Sequence, residues 1–537
     1  MREQHLKGPA LLAAIREELR PRVRIPTPFG MRHLVYADWV ASGQPLASLE
    51  RQIAESITPY YANTHSGDSW TGAVTTQFTH EATAYLKRIF GADERYALLF
   101  VGSGATGAIH RWQEILGLIG DPDSTGRPPG PRPFVLVGPY EHHSNEVTWR
   151  ETAAEVRAIP LGPDGTLDLE ALEAAVSDPA LGGRLKIGSF SAASNVTGVL
   201  TDTRAVARIL HRHGALACFD FAAAGPYVPI DVHPGADDAY DAVYLSPHKF
   251  VGGPDTPGLL LFRRDLYRRR VPTIPGGGTV RFVNSTTQRY LDDIETREDG
   301  GTPPIVQKIR AALALSLKAE IGEDAVLEAE EDFTRRALER LMRHPRIQVA
   351  GPTDVARLGI VSLSIQTSSG QTLHPHFVVR LLNDLFGIQC RGGCLCAGPY
   401  DHTLMGIDAA TSSRYLVAVE AGYEGIKPGW VRLAFHYAMT EPAFAFLLDA
   451  LDFVADRGEA FLPQYRFDWI SGTWSHPRDP ALPSLFEGER PSVDTGEPPY
   501  RTYLEEAKRL AERGPKTHEG VAAPVRVPAD LIRFRLD

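Results

Sequence analysis

A serine, a histidine and a lysine follow one apolar segment of the 537-residue chain. Residues 242–245 (AVYL) precede Ser246, His248 and Lys249, and the glycine-rich run VGGP begins at 251. A deprotonated lysine amine forms a Schiff base with an aldehyde, and partial burial beside His248 would lower the pKa of Lys249 toward that state. Ser246 and His248 could hold an anion nearby. The pattern is typical of an aldehyde cofactor site, although a solvated strand end gives the same pattern.

Two further apolar segments end in residues that suit such a cofactor. Residues 215–219 (ALACF) are followed by Asp220, whose carboxylate would keep a pyridine nitrogen protonated and so make the ring an electron sink. Residues 134–138 (FVLVG) precede His142, an imidazole able to stack on a ring and move protons. A helix-capping aspartate and a pair of surface histidines are the alternatives. Parallel sheets carry ligand groups at the carboxyl ends of such strands.

A glycine-rich turn provides a candidate anion site. Residues 97–101 (ALLFV) run into GSGATG at 102–107, and a helical pattern extends from Ala108 to Leu118. Free backbone amides and the helix dipole bind phosphate at such a junction. Dinucleotide-binding and P-loop proteins use the same arrangement, but the Gly-Lys-Ser/Thr ending of a P-loop is absent here.

Taken in order, these motifs resemble the class V aminotransferase fold of pyridoxal-phosphate enzymes, and within it the cysteine desulfurase and selenocysteine lyase group. The resemblance covers roughly residues 31–455. The residues that carry it are YAD at 36–38, NTHSG at 63–67, EHHSN at 141–145, SNVTG at 194–198, Asp220, SPHK at 246–249, GGTP at 300–303, the run from Arg391 to Cys396, and Arg432.

The resemblance implies an α/β protein of PLP-dependent transferase fold type I. A large domain with a mostly parallel seven-stranded sheet between helices is joined to a smaller α+β domain. It also implies that Lys249 binds pyridoxal 5′-phosphate covalently and shuttles protons, with Asp220 at the pyridine nitrogen and His142 on the ring. The implied phosphate ligands are Gly104, Ala105, Thr106, Ser246 and His248, with Thr302 reaching across from a second subunit.

Four residues are implied to bind the substrate. Arg432 would grip its carboxylate bidentately, and Asn195 would lie near both the cofactor phenolate and that carboxylate. His65 and Arg391 complete the set, the latter near the mouth of the site. No metal is expected.

The run CRGGCLCAG at 390–398 holds three of the four cysteines. A desulfurase needs a thiolate that attacks the sulfur of the cofactor-bound cysteine, and the resemblance assigns this role to Cys396, whose thiolate Arg391 would favour. A zinc site without a distant fourth ligand and small buried side chains are the alternatives.

The activity that the resemblance implies is removal of sulfur from L-cysteine or a related sulfur amino acid, which leaves alanine and a persulfide on Cys396. Two alternatives stay open. One is another class V reaction that does not use this thiol, such as C–S lysis, epimerisation or transamination. The other is a non-catalytic module that binds the cofactor.

Three departures from the family pattern bear on the substrate. Asp220 is followed by Phe221, Ala222 and Ala223, where the family usually ends in a glutamine that donates to the cofactor phenolate. Ala105 stands where a hydroxyl is common, and residues 394–395 (CL) replace histidine. The substrate therefore need not be free cysteine.

Composition indicates the setting. A net charge of -10 disfavours nucleic acid as the main partner, and no apolar run is long enough to span a membrane. Four cysteines, three of them clustered, form no disulfide framework, so the cytoplasm is the expected compartment. The expected partners are a small amino acid substrate and a second copy in a homodimer, and a sulfur-acceptor protein is a further candidate.

The pattern of segments predicts two domains and two flanking pieces. Residues 1–30 are an N-terminal segment that packs on the small domain, 31–304 the large cofactor-binding domain, 305–460 the small domain, and 461–537 an extension of unknown role. One long helical stretch, from Ile305 to His344, leads into the small domain. In the extension, Trp469 and Trp474 indicate a docked start, and residues 503–513 form a charged amphipathic helix for which a solvated surface position is expected.

Overall fold

The computed structural model describes residues 6–535 except 65–66, 120–129, 487–491, 495, 514–523 and 525–526. The described residues fall into two compact units. Unit 1 draws on Met1–Ala13, Ala41–Ser194 and Val199–Leu327, and unit 2 on Ala14–Val40, Asn195–Gly198 and Glu328–Asp537. Among the described helices, none combines the length and the apolar character needed to cross a membrane.

Unit 1 is built on a seven-stranded sheet. Its strands are β1 (Tyr96–Val101), β2 (Phe134–Val137), β3 (Glu155–Ala158), β4 (Lys186–Ser191), β5 (Leu216–Asp220), β6 (Ala242–Leu245) and β7 (Gly258–Arg263). They lie in the order β1-β7-β6-β5-β4-β2-β3. Strands β2 to β6 are parallel to their neighbours within that set, and β7 is antiparallel to both β1 and β6. Every residue of β2 and β6 is buried, as expected where both faces of a sheet are covered. The predicted mostly parallel seven-stranded sheet is thus present.

The register of the sheet brings three strand ends level. Asp220, the last residue of β5, lies between Ser191 of β4 and Tyr244 of β6. Helix α1 (Gly104–Ile115) follows β1 and packs on one face of the sheet, where its Trp112 is fully buried. Asp220 at the end of β5 and Ser246 directly after β6 are therefore at the same edge of the sheet.

The predicted helical stretch from Ile305 to His344 is two helices, Ile305–Ile321 and Glu323–Arg343. They are separated by Gly322, whose φ of 89° is readily adopted only by glycine. The other helices of unit 1 are Ala47–Gln52, Trp70–Ile89, Val147–Arg150, Leu169–Val176, Thr203–Arg212 and Ile294–Arg297, and a hairpin pairs Val280–Val283 with Gln288–Tyr290. Helix Gly8–Glu18 contains the boundary between the two units.

Unit 2 contains a four-stranded antiparallel sheet made of β8 (Ile347–Val349), β9 (Ile360–Ile365), β10 (Arg391–Gly393) and β11 (Trp430–Ala434). The strands lie in the order β8-β9-β11-β10. Helices α2 (Pro375–Phe386) and α3 (Glu441–Arg457) bury apolar faces in its core, and Thr440 caps α3 by accepting from the N–H of Ala443. The remaining elements are helices Gly398–Leu404 and Ala409–Glu420 and short strands at Val23–Thr27, Gly30–His33, Val35–Tyr36, Thr372–Leu373, Ile388–Gln389, Ser492–Val493 and Phe534–Arg535.

The C-terminal extension packs on the rest of unit 2. Strands Arg466–Phe467 and Trp474–Ser475 form a hairpin, and both Trp469 and Trp474 are buried, as predicted. Helix α4 (Tyr500–Glu512) contacts α2 and α3 and buries Tyr503. The predicted amphipathic helix is present, but only its polar face is solvated, because the opposite face is part of the core.

We expect Tyr503 to be a main contributor to this docking. Its ring lies 4.7 Å from the guanidinium of Arg32, and its hydroxyl is 2.8 Å from Nδ1 of His33. Tyr503→Ala should lower the free energy of unfolding by about 3–5 kcal/mol through the lost packing, and Tyr503→Phe by about 1–3 kcal/mol through the lost hydrogen bonds. Chemical denaturation measures both. Arg501→Ala, at a side chain 92% exposed on the same helix, should change it by less than about 0.5 kcal/mol. Equal losses for all three variants would contradict the assignment.

Candidate functional site

In unit 1, a serine and a histidine close around the glycine turn at the start of α1. Ser246 Oγ accepts a hydrogen bond from the N–H of Ala105 at 2.9 Å. A Cβ built on Gly104 would lie 2.7 Å from Cε1 of His248 and 2.8 Å from Ser246 Oγ, and its φ is 55°. Burial, and then the charge of Lys249, lower the pKa of His248 to about 4. The neutral ring can therefore donate one N–H beside the helix amino terminus, where an anion is stabilised.

A chain of hydroxyl contacts links this turn to His142. Thr106 Oγ1 lies 2.6 Å from Ser144 Oγ, which lies 3.1 Å from Nδ1 of His142. The same Nδ1 accepts from the backbone N–H of Ser144 at 3.1 Å. Because Nδ1 is an acceptor, a neutral His142 carries its proton on Nε2. Two residues predicted to contact the cofactor, Thr106 and His142, are thus linked through Ser144.

A buried carboxylate and an amine follow adjacent strands. Asp220 is 4% exposed and its Oδ1 accepts from the N–H of Ala222 at 2.8 Å. Burial raises the pKa of Asp220, whereas the bond from Ala222 and the charge of Lys249 lower it. Lys249 ends the short 3₁₀ turn Pro247–Lys249 directly after β6. The two groups lie close enough to interact electrostatically, as their positions at neighbouring strand ends require.

The carboxylate of Glu141 is a site residue to which sequence reasoning gave no role. Its Oε1 accepts from the N–H groups of Gly138 (3.1 Å) and Ser191 (2.8 Å), and its Oε2 accepts from Asn145 Nδ2 and Ser191 Oγ, both at 2.6 Å. Burial raises the pKa of Glu141 to about 7, against these hydrogen bonds. The network joins β2 to β4 and fixes the turn that carries His142. The only sequence signal was its place in the EHHSN motif.

In unit 2, two arginines on paired strands share one aspartate. Arg432 and Arg391 are direct partners across β11 and β10. Asp38 Oδ1 lies 3.4 Å from Arg432 Nη2, and its Oδ2 lies 3.4 Å from Arg391 Nε. Burial lowers the pKa of Arg432, and Asp38 opposes that shift. Asp38 belongs to the YAD motif, from which no ionic role was predicted.

Asn195 connects Arg432 to the cysteine loop, which we define as residues 390–398. Arg432 Nη1 donates to the carbonyl of Asn195 at 3.0 Å, and Asn195 Nδ2 donates to the carbonyl of Leu395 at 2.6 Å. Asn195 Oδ1 is buried without a hydrogen-bond partner among the described residues. Cys396 is half-buried, has a φ of 62°, and lies near enough for its negative charge to raise the pKa of Arg432.

The extension reaches the cysteine loop through His376. Its Nδ1 pairs with the carbonyl of Gly472 at 3.0 Å, in the hairpin of the extension. A Cβ on Gly393 would lie 2.6 Å from Nε2 of the same ring, and Gly393 has a φ of 98°. The loop therefore passes His376 at a distance that only a glycine permits.

The predicted site residues thus form one group in each unit. The group in unit 1 comprises Gly104, Ala105, Thr106, His142, Asp220, Ser246, His248 and Lys249. The group in unit 2 comprises Asn195, Arg391, Cys396 and Arg432. Thr302 is exposed, and its Oγ1 accepts from Asn63 Nδ2 at 3.4 Å. His65 lies outside the described residues.

Stability should depend on pH through Glu141. Between pH 4.5 and 7 the folded chain retains a proton on Glu141 that the unfolded chain has lost. The free energy of unfolding should therefore fall as pH rises through this window, by at most about 3 kcal/mol. Glu141→Gln cannot titrate, so it should make this slope shallower by the contribution of Glu141, while other buried carboxyl groups such as Glu330 keep theirs. Glu151→Gln, at an exposed position, should leave the slope unchanged. Denaturant unfolding across the window measures the slope, and identical slopes in wild type and Glu141→Gln would contradict the assignment.

Comparison with known sequences shows similarity to cysteine desulfurases. A protein of Halalkalibacterium halodurans named "Probable cysteine desulfurase" is 29% identical over 403 residues, which are 74% of this chain and 92% of that protein. A protein of the same name from Streptomyces coelicolor is 29% identical over 405 residues, 74% of this chain and 91% of that protein.

Solved structures confirm the predicted fold. An apo cysteine desulfurase from Thermococcus onnurineus NA1 has a TM-score of 0.65 at 22% identity, covering 79% of this chain and 95% of that one. The Escherichia coli cysteine desulfurase CsdA has a TM-score of 0.63 at 20% identity, covering 79% and 94%. Residues 35–442 match the sequence profile described as "Aminotransferase class-V". Because that match spans most of the sequence, the chain belongs to the class-V aminotransferase family.

Proposed function

We propose that unit 1 binds pyridoxal 5′-phosphate. The residues present fit this group, because the space at Gly104 that a Cβ would fill is bounded by a serine hydroxyl and a neutral histidine at a helix amino terminus. The phosphate ligands would be Gly104, Ala105, Thr106, Ser246 and His248, with Thr302 supplied by a second copy of the chain. The buried carboxylate of Asp220 suits a pyridinium, which would offset its cost of burial.

Three residues of unit 1 would then have separate roles in the reaction. When bound, pyridoxal phosphate withdraws electrons from the α-carbon of an amino acid and weakens the bonds around it. Lys249 Nζ would bind the cofactor covalently and carry a proton to and from the substrate. His142 would stack on the ring with Nε2–H available, since Ser144 occupies its Nδ1. Asp220 would keep the pyridine nitrogen protonated.

We further propose that the chain is a cysteine desulfurase, with the net reaction L-cysteine plus the Cys396 thiol giving alanine plus a Cys396 persulfide. One observation carries this choice: Cys396 lies within electrostatic reach of the buried guanidinium of Arg432, the group proposed to bind the substrate carboxylate. Arg432 would bind the substrate carboxylate. Arg391 and Asn195 would support it, and His65 would contribute from the NTHSG motif. The names of the relatives support the same reading.

The setting and the domain division are part of the proposal. A free thiol nucleophile suits the reducing cytoplasm. In a homodimer, the exposed Thr302 of one copy would bind the cofactor phosphate held by the other copy. The sulfur of the persulfide would pass to an acceptor thiol, for which a sulfur-acceptor protein is one candidate. Residues 31–304 would form the domain that binds the cofactor, and residues 305–460 the small domain that contains the cysteine loop and Arg432. The segments 1–30 and 461–537 would pack on the small domain.

Substitution of Cys396 separates desulfuration from other class V reactions. Cys396→Ser should still change the visible absorbance of the cofactor when L-cysteine is added, because Lys249 and Arg432 are intact. Its rate of alanine release should fall by about a hundredfold or more. Cys390→Ala, at a buried thiol in the same loop, should keep the rate. Wild-type turnover by Cys396→Ser would favour a lyase, epimerase or aminotransferase.

Asp220→Asn tests the pyridine partner. A neutral amide cannot stabilise a protonated pyridine, so the variant should retain the bound cofactor yet lose at least about a hundredfold in kcat, since each pKa unit lost at the nitrogen corresponds to about 1.4 kcal/mol. Bound cofactor is measured by absorbance after gel filtration and kcat by alanine formation. Full activity in Asp220→Asn would assign the role to another group.

A further inference from the structure

The thiol of Cys394 forms part of a second reactive arrangement in the cysteine loop. Cys394 is exposed, and its sulfur accepts hydrogen bonds from the backbone N–H groups of Cys396 and Ala397. It is also hydrogen-bonded to the carboxyl group of Asp401, which is 2% exposed in the helix Gly398–Leu404. A thiol, a buried carboxylate and the Cys396 backbone therefore meet at one point.

The carboxylate is suited to take the thiol proton. Burial raises the pKa of Asp401 to about 6, and Oδ2 is held by the N–H of Leu395 at 3.3 Å. Although Cys394 as a whole residue is exposed, protein groups around its sulfur desolvate it, and this desolvation, followed by the charge of Asp401, raises the pKa of Cys394 to about 11. Near neutral pH the pair is a protonated thiol beside a carboxylate, in which the carboxylate can act as a general base.

The spacing of the two cysteines permits a bond between their sulfurs. Residues two apart have Cα atoms within about 7 Å of each other, close to the range that a disulfide spans. Here the Cys394 sulfur already contacts the backbone nitrogen of Cys396, a few bonds from the Cys396 sulfur. Cys390 lacks this relation, since it is buried at the other end of β10.

We propose that Cys394 is a second catalytic thiol that attacks the Cys396 persulfide, releasing hydrosulfide and forming a Cys394–Cys396 disulfide. This rests on the proposed desulfurase function. The electron pair of Cys394 forms the new S–S bond, and the pair of the old S–S bond leaves with the terminal sulfur. The Cys394 proton passes to Asp401 and then to the hydrosulfide. Cys394 is oxidised and the terminal sulfur is reduced, and a dithiol reductant reopens the disulfide for the next turnover.

A single-turnover experiment tests this step. The holoenzyme is reduced, freed of reductant and given one equivalent of L-cysteine, and then alanine, hydrosulfide and the mass of the peptide containing residues 394–396 are measured. The wild type should release alanine and hydrosulfide in equal amounts and end with a disulfide, carrying no extra sulfur. Added dithiothreitol should restore turnover.

Cys394→Ser should release alanine as the wild type does, but should retain one extra sulfur on Cys396 and release hydrosulfide about tenfold more slowly or worse. Asp401→Asn should show the same pattern, and the matched control Cys390→Ala should behave as the wild type. A persistent persulfide in the wild type, or normal hydrosulfide release by Cys394→Ser, would overturn the role of Cys394. Absence of both alanine and extra sulfur in Cys394→Ser and in the wild type would instead overturn the desulfurase function, and the proposal with it.

Discussion

The buried carboxylate of Glu141 is the contact on which the geometry of the sheet edge in unit 1 depends. Its four hydrogen bonds tie the end of β2 to the end of β4, and Asn145 extends them to Trp149 Nε1 and Ser189 Oγ. Loss of the carboxylate would leave several buried donors unpaired, each at a cost of about 1–3 kcal/mol. The position of His142, one residue further on, therefore has the rigidity of the sheet rather than that of a loop.

Unit 2 meets a different constraint, the burial of a permanent positive charge. Arg432 is 4% exposed, and no guanidinium can become neutral under ordinary conditions. Asp38 compensates this charge from one side, and the carbonyl of Asn195 accepts from the other. Because Asp38 is shared with Arg391, it compensates the two guanidiniums only in part, and Asp401 is a second carboxyl group within electrostatic reach of Arg432. Under the proposed function, Arg432 would pair with the substrate carboxylate in this setting.

Much of unit 1 could be predicted from the sequence, because apolar runs mark buried parallel strands and their carboxyl ends gather at one edge. Asp220 and Lys249 were predicted in this way: the register of β5 and β6 places Asp220 opposite Tyr244, and Lys249, just beyond the end of β6, lies within electrostatic reach of Asp220. The roles of Glu141 and Asp38 could not be predicted, since each depends on a partner far along the chain: Ser191 for Glu141, besides its local partners, and Arg432 for Asp38. The break at Gly322 was also missed, because one glycine in a helical pattern is often tolerated.

The contact between His376 and Gly393 links the extension to the cysteine loop in evolutionary terms. His376 cannot swing aside without giving up the carbonyl of Gly472, so a larger residue at 393 is disfavoured both by the ring and by the backbone φ of 98°. A protein of this fold that lacked the hairpin would be released from the first restriction. The residues 376 and 393 should therefore change together among sequences, so that the presence of this C-terminal hairpin predicts which side chains the loop tolerates.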